Sequence, residues 1–253
     1  MNKALAEKIR FLAGKYETPA FLEKDPSLFM HRFSDEKNQE LAAFISANLA
    51  FGRRDQILRH VEQILSAADK NLYDWILKSE YGKMFPVSDK SFYRMYSFSA
   101  MRIFFDSIKE ILEQSGTLGK HFKKLYSGQE DNCGGHLCNV IASCFPKECT
   151  LIPYTKTSAC KKLNMFLRWM VRDNSPVDLG LWKWFSKKEL LIPMDTHVLQ
   201  TAVQFNLIEK TSSGKVPGAT IRMAEMLTEK MKEVFPEDPC RADFALFGLG
   251  VDL

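Results

Sequence analysis

The sequence has no apolar run of membrane-spanning length. It has no Gly/Ser linker, no low-complexity tract and no internal repeat, so neither tethered domains nor a solenoid is indicated. Strand signals are also missing. No stretch sustains period-two alternation, and no Asn-Gly or Asp-Gly pair offers a hairpin turn. Charge of one sign is in small excess, with 35 Lys and Arg against 31 Asp and Glu. That balance is compatible with a polyanion partner but does not require one. Near the N-terminus Lys3, Glu7, Lys8 and Arg10 interrupt the apolar residues, which is not the continuous core of a secretory leader. A cytoplasmic protein with no membrane contact is expected.

The six cysteines lack the tight pairing of a structural zinc site. Cys133, Cys138, Cys144 and Cys149 are separated by four, five and four residues, with His136 inside the first gap. Without an oxidising compartment, ordinary thiols are the expectation, and no metal is assigned.

What the sequence does have is helical periodicity. Leu5, Ile9, Leu12 and Tyr16 share a face. Asp35 is placed to cap a helix carrying Leu41, Phe44, Ile45 and Leu49, which Gly52 ends. Arg53 and Arg54 form the corner before a helix with the stripe Ile57, Val61, Ile64 and Leu65. A solvated turn and a phosphate contact are both consistent with that pair. Residues 71–98 are rich in aromatics, which at this density form core more often than a nucleic-acid stacking surface. Met101, Phe104, Ile108 and Ile111 mark another helix, and a further one is weakly signalled near 134–145. The fold class predicted is all-α, with about ten helices joined by short loops.

Two stretches carry candidate chemistry. In the first, Thr155 or Thr157 is placed to cap a helix in which Ala159, Leu163, Phe166 and Met170 face inward. On it Lys161, Arg168 and Arg172 form a cationic ridge without an acidic neighbour on the same helix, which favours a phosphate contact over internal ion pairing. In the second, Pro193 sets the chain entry and Asp195 sits at the N-cap of a helix with Val198, Ala202 and Phe205 inward.

Pro193-Met194-Asp195-Thr196-His197-Val198 resembles the helix–hairpin–helix DNA glycosylase superfamily, which includes endonuclease III and the archaeal 8-oxoguanine glycosylases. Asp195 matches the superfamily's essential aspartate. Lys156-Thr157-Ser158-Ala159 matches the helix start that carries the lysine of members with lyase activity. Ile45-Ser46-Ala47-Asn48-Leu49-Ala50 is similar to the segment whose glutamine enters the DNA stack, with Asn48 at that position. Asp243 to Gly250 resembles the closing helix. More narrowly, the run Lys156 to Arg172 resembles a bacterial family known only as a domain of unknown function.

The resemblance implies a two-lobed helical bundle of the glycosylase type. One lobe would span about 36–190, and the other the N-terminal segment with 196–253. It implies a DNA base-excision glycosylase, with abasic-site lyase activity and 8-oxoguanine as the candidate extensions, acting as a monomer on duplex DNA with a damaged base and without a cofactor. Lys156 would be the nucleophile and Asp195 its electrostatic partner. Asn48, Arg53, Arg54, Lys161, Arg168, Arg172 and His197 would contact DNA. Trp182 and Trp184 would line the base pocket, or else simply pack. Lys161 and Lys162 are rival lysines.

The chain departs from the pattern in three places. Ile152-Pro153-Tyr154-Thr155-Lys156 has no hairpin glycine, so close backbone approach to a phosphate is harder. Lys156 and Asp195 lie 39 positions apart, with a tryptophan-bearing segment between them. Only Cys240 falls in the last third, so the four-cysteine iron–sulfur motif is absent. The alternative reading is a DNA- or RNA-binding module that kept the scaffold without chemistry. A third is an interaction protein organised by the 133–149 cysteines.

Overall fold

A computed structural model describes residues 1–69, 71–128, 135–153 and 157–252, with 251 and 252 by backbone alone. In chain order the helices are α1 (Lys3–Tyr16), α2 (Glu36–Leu49), α3 (Arg54–Ala67), α4 (Leu72–Leu77), α5 (Tyr81–Met84), α6 (Phe98–Ser115), α7 (Leu118–Ser127), α8 (Leu137–Ser143), α9 (Lys161–Val171), α10 (Thr196–Gln204), α11 (Ile221–Lys232) and α12 (Ala242–Asp252). Pro19–Lys24 and Pro26–Arg32 form 3₁₀ turns. The chain is mostly helical, and among the described residues no helix is long and apolar enough to cross a membrane.

The expectation of no strand is corrected at one point. Ser91–Tyr93 (β1) and Tyr96–Ser97 (β2) pair antiparallel. Strands this short carry no readable alternation. Their turn lacks the glycine or asparagine that sequence reading relies on, because Arg94 itself takes the left-handed conformation at φ 52°.

The chain forms two compact units. One is the continuous stretch Lys24–Tyr154; the other combines Met1–Glu23 with Thr155–Leu253. Residues 155–190 therefore group with the terminal segments.

In the continuous unit α2 is the central element. Asp35 caps it by accepting from the Asn38 amide at 3.0 Å. The Asn38 carboxamide in turn accepts from the Tyr73 amide at 2.9 Å and fixes the start of α4. Most of α2 is buried, and Phe44 stacks on Phe104 and Phe145, each with centroids 5.6 Å away. Trp75, Tyr81, Phe85 and Phe105 form an adjoining aromatic cluster. The aromatic-rich stretch is thus largely core. Ser97 caps α6, and Gly116 ends it at φ 76°.

In the second unit α12 packs against both α1 and α10. Glycine lets it approach closely. A Cβ at Gly248 would lie 2.3 Å from the Tyr16 ring. The segment after α9 folds back along that helix. Leu179 and Trp182 donate their amides to the carbonyls of Trp169 and Met170, at 2.8 and 2.7 Å, and so satisfy acceptors the helix end leaves open. Gly180 permits this at φ 62°, where a Cβ would meet Asp173 at 2.8 Å.

Candidate functional site

The helix expected to start near Lys156 starts at Lys161. The reason is long-range. Thr157 gives its carbonyl to the Ile221 amide at 3.1 Å, and Ser158 forms a β-bridge with Thr220. The Ser158 hydroxyl accepts from the Cys160 amide at 3.1 Å. These bonds hold 157–160 in a non-helical path at the start of α11. Lys156 itself lies outside the described residues.

The resulting start of α9 breaks local rules. Its N-cap, Cys160, takes the left-handed conformation at φ 45° and its side chain gives no capping bond. No acidic residue stands in the first turn, and a lysine occupies the first helical position, at the positive end of the helix dipole. Departures of this kind concentrate at functional sites.

Asp195 caps α10 as its sequence position predicts, with Oδ1 accepting from the Val198 amide at 3.0 Å. Its other oxygen, Oδ2, lies 3.8 Å from Lys161 Nζ. Both side chains are partly exposed, at 29% for Lys161 and 20% for Asp195, so the pair is reachable from solvent. A pair this open contributes little to stability, about 0–1 kcal/mol. His197 is exposed on the first turn of α10, with Nδ1 3.1 Å from the Gly250 carbonyl.

Arg168 and Arg172 do not form an exposed ridge. They are 3% and 2% exposed. Arg168 pairs with Asp243 and, at 3.3 Å, with Asp178. Arg172 pairs with Asp178, with Glu17 at 2.7 Å and with Asp238 at 2.9 Å. Arg241 also reaches Glu17 at 2.8 Å. Both buried guanidiniums lie over the Phe244 ring, at 4.4 and 5.3 Å. The ridge lacks acids on its own helix because they arrive from elsewhere in the chain. The expectation that these arginines face phosphate is corrected accordingly.

This network has a geometric result. α9 is tied to α12 through Arg168 and Asp243, and α10 is tied to α12 through His197 and Gly250. The helices that carry Lys161 and cap with Asp195 are thus both referenced to one element. Burial raises the Asp243 carboxyl to about 6; Arg168 opposes the rise, Asp195 adds to it and Lys161 counters it. Asp178, wholly buried, is also raised by burial, against the pull of Arg168 and Arg172.

Trp182 is buried edge-on to Phe166, with centroids 5.2 Å apart, and stacks on the partly exposed Trp184 at 5.5 Å. In the continuous unit Asn48 is fully buried, its side-chain amide donating to the Phe44 carbonyl at 2.9 Å. Arg53 is exposed and pairs with Asp55 at 3.0 Å, and Arg54 opens α3. The structure therefore brings Lys161 and Asp195 together at two helix starts, with His197 on the first turn of α10. It places Arg168 and Arg172 inside the same unit and leaves Arg53 and Arg54 at the surface of the other.

Among the described residues no group of three or more His, Cys, Asp or Glu is arranged to hold a metal ion. Cys133 lies outside those residues. Burial raises the Cys144 thiol to about 11.

Neither a curated protein nor a solved structure matches the chain. A family profile matches residues 25–252, nearly the whole length. The chain belongs to the family described as "Protein of unknown function (DUF2400)".

Proposed function

We propose that the protein is a DNA base-excision glycosylase of the helix–hairpin–helix type with lyase activity, and that Lys161 is its reactive amine. The observation that carries this reading is the partly exposed Lys161–Asp195 pair, 3.8 Å apart, at the start of α9, where the Cys160 side chain makes no capping bond.

The chemistry needs both groups. A duplex hides the glycosidic bond, so the damaged base must first leave the stack. As the bond from C1′ to the base breaks, the base takes the electron pair and positive charge develops on the sugar. The Asp195 carboxylate stabilises that charge. The Lys161 nitrogen gives up a proton and forms a bond to C1′; the C1′–O4′ bond then breaks, O4′ taking a proton as the nitrogen lone pair forms C1′=N, and the strand can be cut from that Schiff base by elimination. His197, two residues from Asp195, would contact the sugar–phosphate backbone. 8-Oxoguanine is the first base to test.

The test is borohydride trapping on duplexes containing 8-oxoguanine, uracil or an abasic site. Wild type and Lys156→Gln should form a covalent adduct; Lys161→Gln should not. An adduct lost in Lys156→Gln but kept in Lys161→Gln would return the role to Lys156. Base release that survives both substitutions but not Asp195→Asn would indicate a glycosylase without lyase chemistry. Binding without any cutting or trapping would leave a non-catalytic DNA-binding module.

A further inference from the structure

A pocket of about 260 Å³ lies in the continuous unit, far in sequence from Lys161 and Asp195. It is lined by Arg53, Gln56, His60, Phe92, Tyr93 and Arg94. Two guanidiniums and three rings around one opening are suited to an anion joined to a flat ring. The volume is below the roughly 300–1,000 Å³ of pockets that enclose a whole drug-sized ligand. It fits one ring with its substituent.

The pocket is built around Arg94. This residue occupies the β1–β2 turn at φ 52°, a conformation that glycine or asparagine adopts at lower cost. Its side chain is seated between two neighbours. The guanidinium lies 4.8 Å from the centroid of the exposed Phe51 ring. It also runs against Gly52, where a Cβ would come within 2.5 Å of Arg94 Nη1. Gly52 sits at φ 110°, a conformation that L side chains rarely adopt, and its missing side chain leaves room for the Arg94 guanidinium. The Tyr93 hydroxyl donates to the Phe51 carbonyl at 2.6 Å and ties the hairpin to the corner before α3. No described carboxylate pairs with Arg94, and the one partner of Arg53, Asp55, is an exposed side chain that a phosphate can displace.

The rings are fixed as well. His60 lies 4.4 Å from Tyr93 and edge-on to Phe92 at 5.2 Å. Its Nδ1 is 2.7 Å from the Gln56 carbonyl, so Nδ1 carries the hydrogen and Nε2 is an acceptor in the neutral ring. Phe92 is held edge-on by Phe85 at 5.1 Å. A strained turn, a glycine at positive φ and a guanidinium with no described carboxylate partner converge on one opening.

We propose that this pocket takes one unpaired nucleotide of DNA, its base against Phe92 and His60 and its phosphate against Arg94 and Arg53. The identification of the polymer as DNA rests on the function proposed above; the ring-plus-phosphate chemistry does not. Such a site would hold a displaced nucleotide at a distance in sequence from the reacting one.

Fluorescence anisotropy of the full chain with a labelled short oligothymidylate, and with an abasic oligonucleotide of equal length, tests this. Wild type should prefer the oligothymidylate about fivefold or more, the low end for one base on an aromatic face. Phe92→Leu keeps the apolar packing and should abolish that preference. Arg94→Gly should weaken binding of both oligonucleotides while leaving the melting temperature unchanged or higher, because glycine relieves the turn. Borohydride trapping reads Lys161 and the oligothymidylate preference reads Phe92, so failure of the proposed function and failure of this site are distinguishable. Equal affinity of wild type for the two oligonucleotides, no binding of either, or wild-type binding by Arg94→Gly would overturn the proposal.

Discussion

At the scale of single residues, Asp195 does two things with two oxygens. One caps α10 through the Val198 amide and the other faces Lys161. Asparagine caps a helix about as well as aspartate but carries no charge. Asp195→Asn should therefore change stability by less than about 0.5 kcal/mol and still eliminate base release. Thermal melts beside a single-turnover glycosylase assay check both halves; a large drop in melting temperature would mean that the residue is mainly structural. Asp243 behaves differently. Its ordinary value is 3.8 and burial raises it to about 6. Between those values the folded protein holds a proton that the unfolded chain has released, so its contribution to stability falls as pH rises through the window. Urea midpoints for wild type minus Asp243→Asn, collected from about pH 4 to 7, should decline toward higher pH. A flat difference would contradict the assignment.

Elements were legible in the sequence where their signals are local. Asp35 and Asp195 cap helices through their own side chains, and the stripe Ile57, Val61, Ile64 and Leu65 is buried. The errors arise where a distant partner decides. Thr157 and Ser158 have the composition of a helix start, but Thr220 and Ile221 take their hydrogen bonds. Arg168 and Arg172 have the spacing of a surface ridge, but Glu17, Asp178, Asp238 and Asp243 surround them. The pair at the candidate site was half legible: Asp195 at its helix start was readable, while the choice of Lys161 depends on where α9 begins. The buried ion network also gives a prediction for these elements. Arg172→Met leaves buried carboxylates without their main partner and should lower stability by about 3–5 kcal/mol, measured by urea denaturation. A loss below about 1 kcal/mol would show that the network is not desolvated as described.

For the whole molecule, net charge is +4, but the arginines differ in what they can do with it. Those buried in the ion network are matched by carboxylates, whereas Arg53 is exposed. On the proposed reading, DNA affinity should fall with salt, and Arg53→Ala should flatten the log–log slope by about one unit per phosphate contact removed. An unchanged slope would remove that corner from the DNA-contacting surface.

The placement of α1 against α12 bears on how the chain is made. The continuous unit is built from one uninterrupted stretch, Lys24–Tyr154, so its core can form while synthesis is still under way. Helix α1 is translated before that unit, yet it must wait for α12, more than two hundred residues later, before Tyr16 can settle over Gly248. Until then its apolar face, including Ile9 and Leu12, is open to chaperones and to other nascent chains. Closing so long a loop is slow, though each further doubling of its length adds only about 0.6 kcal/mol.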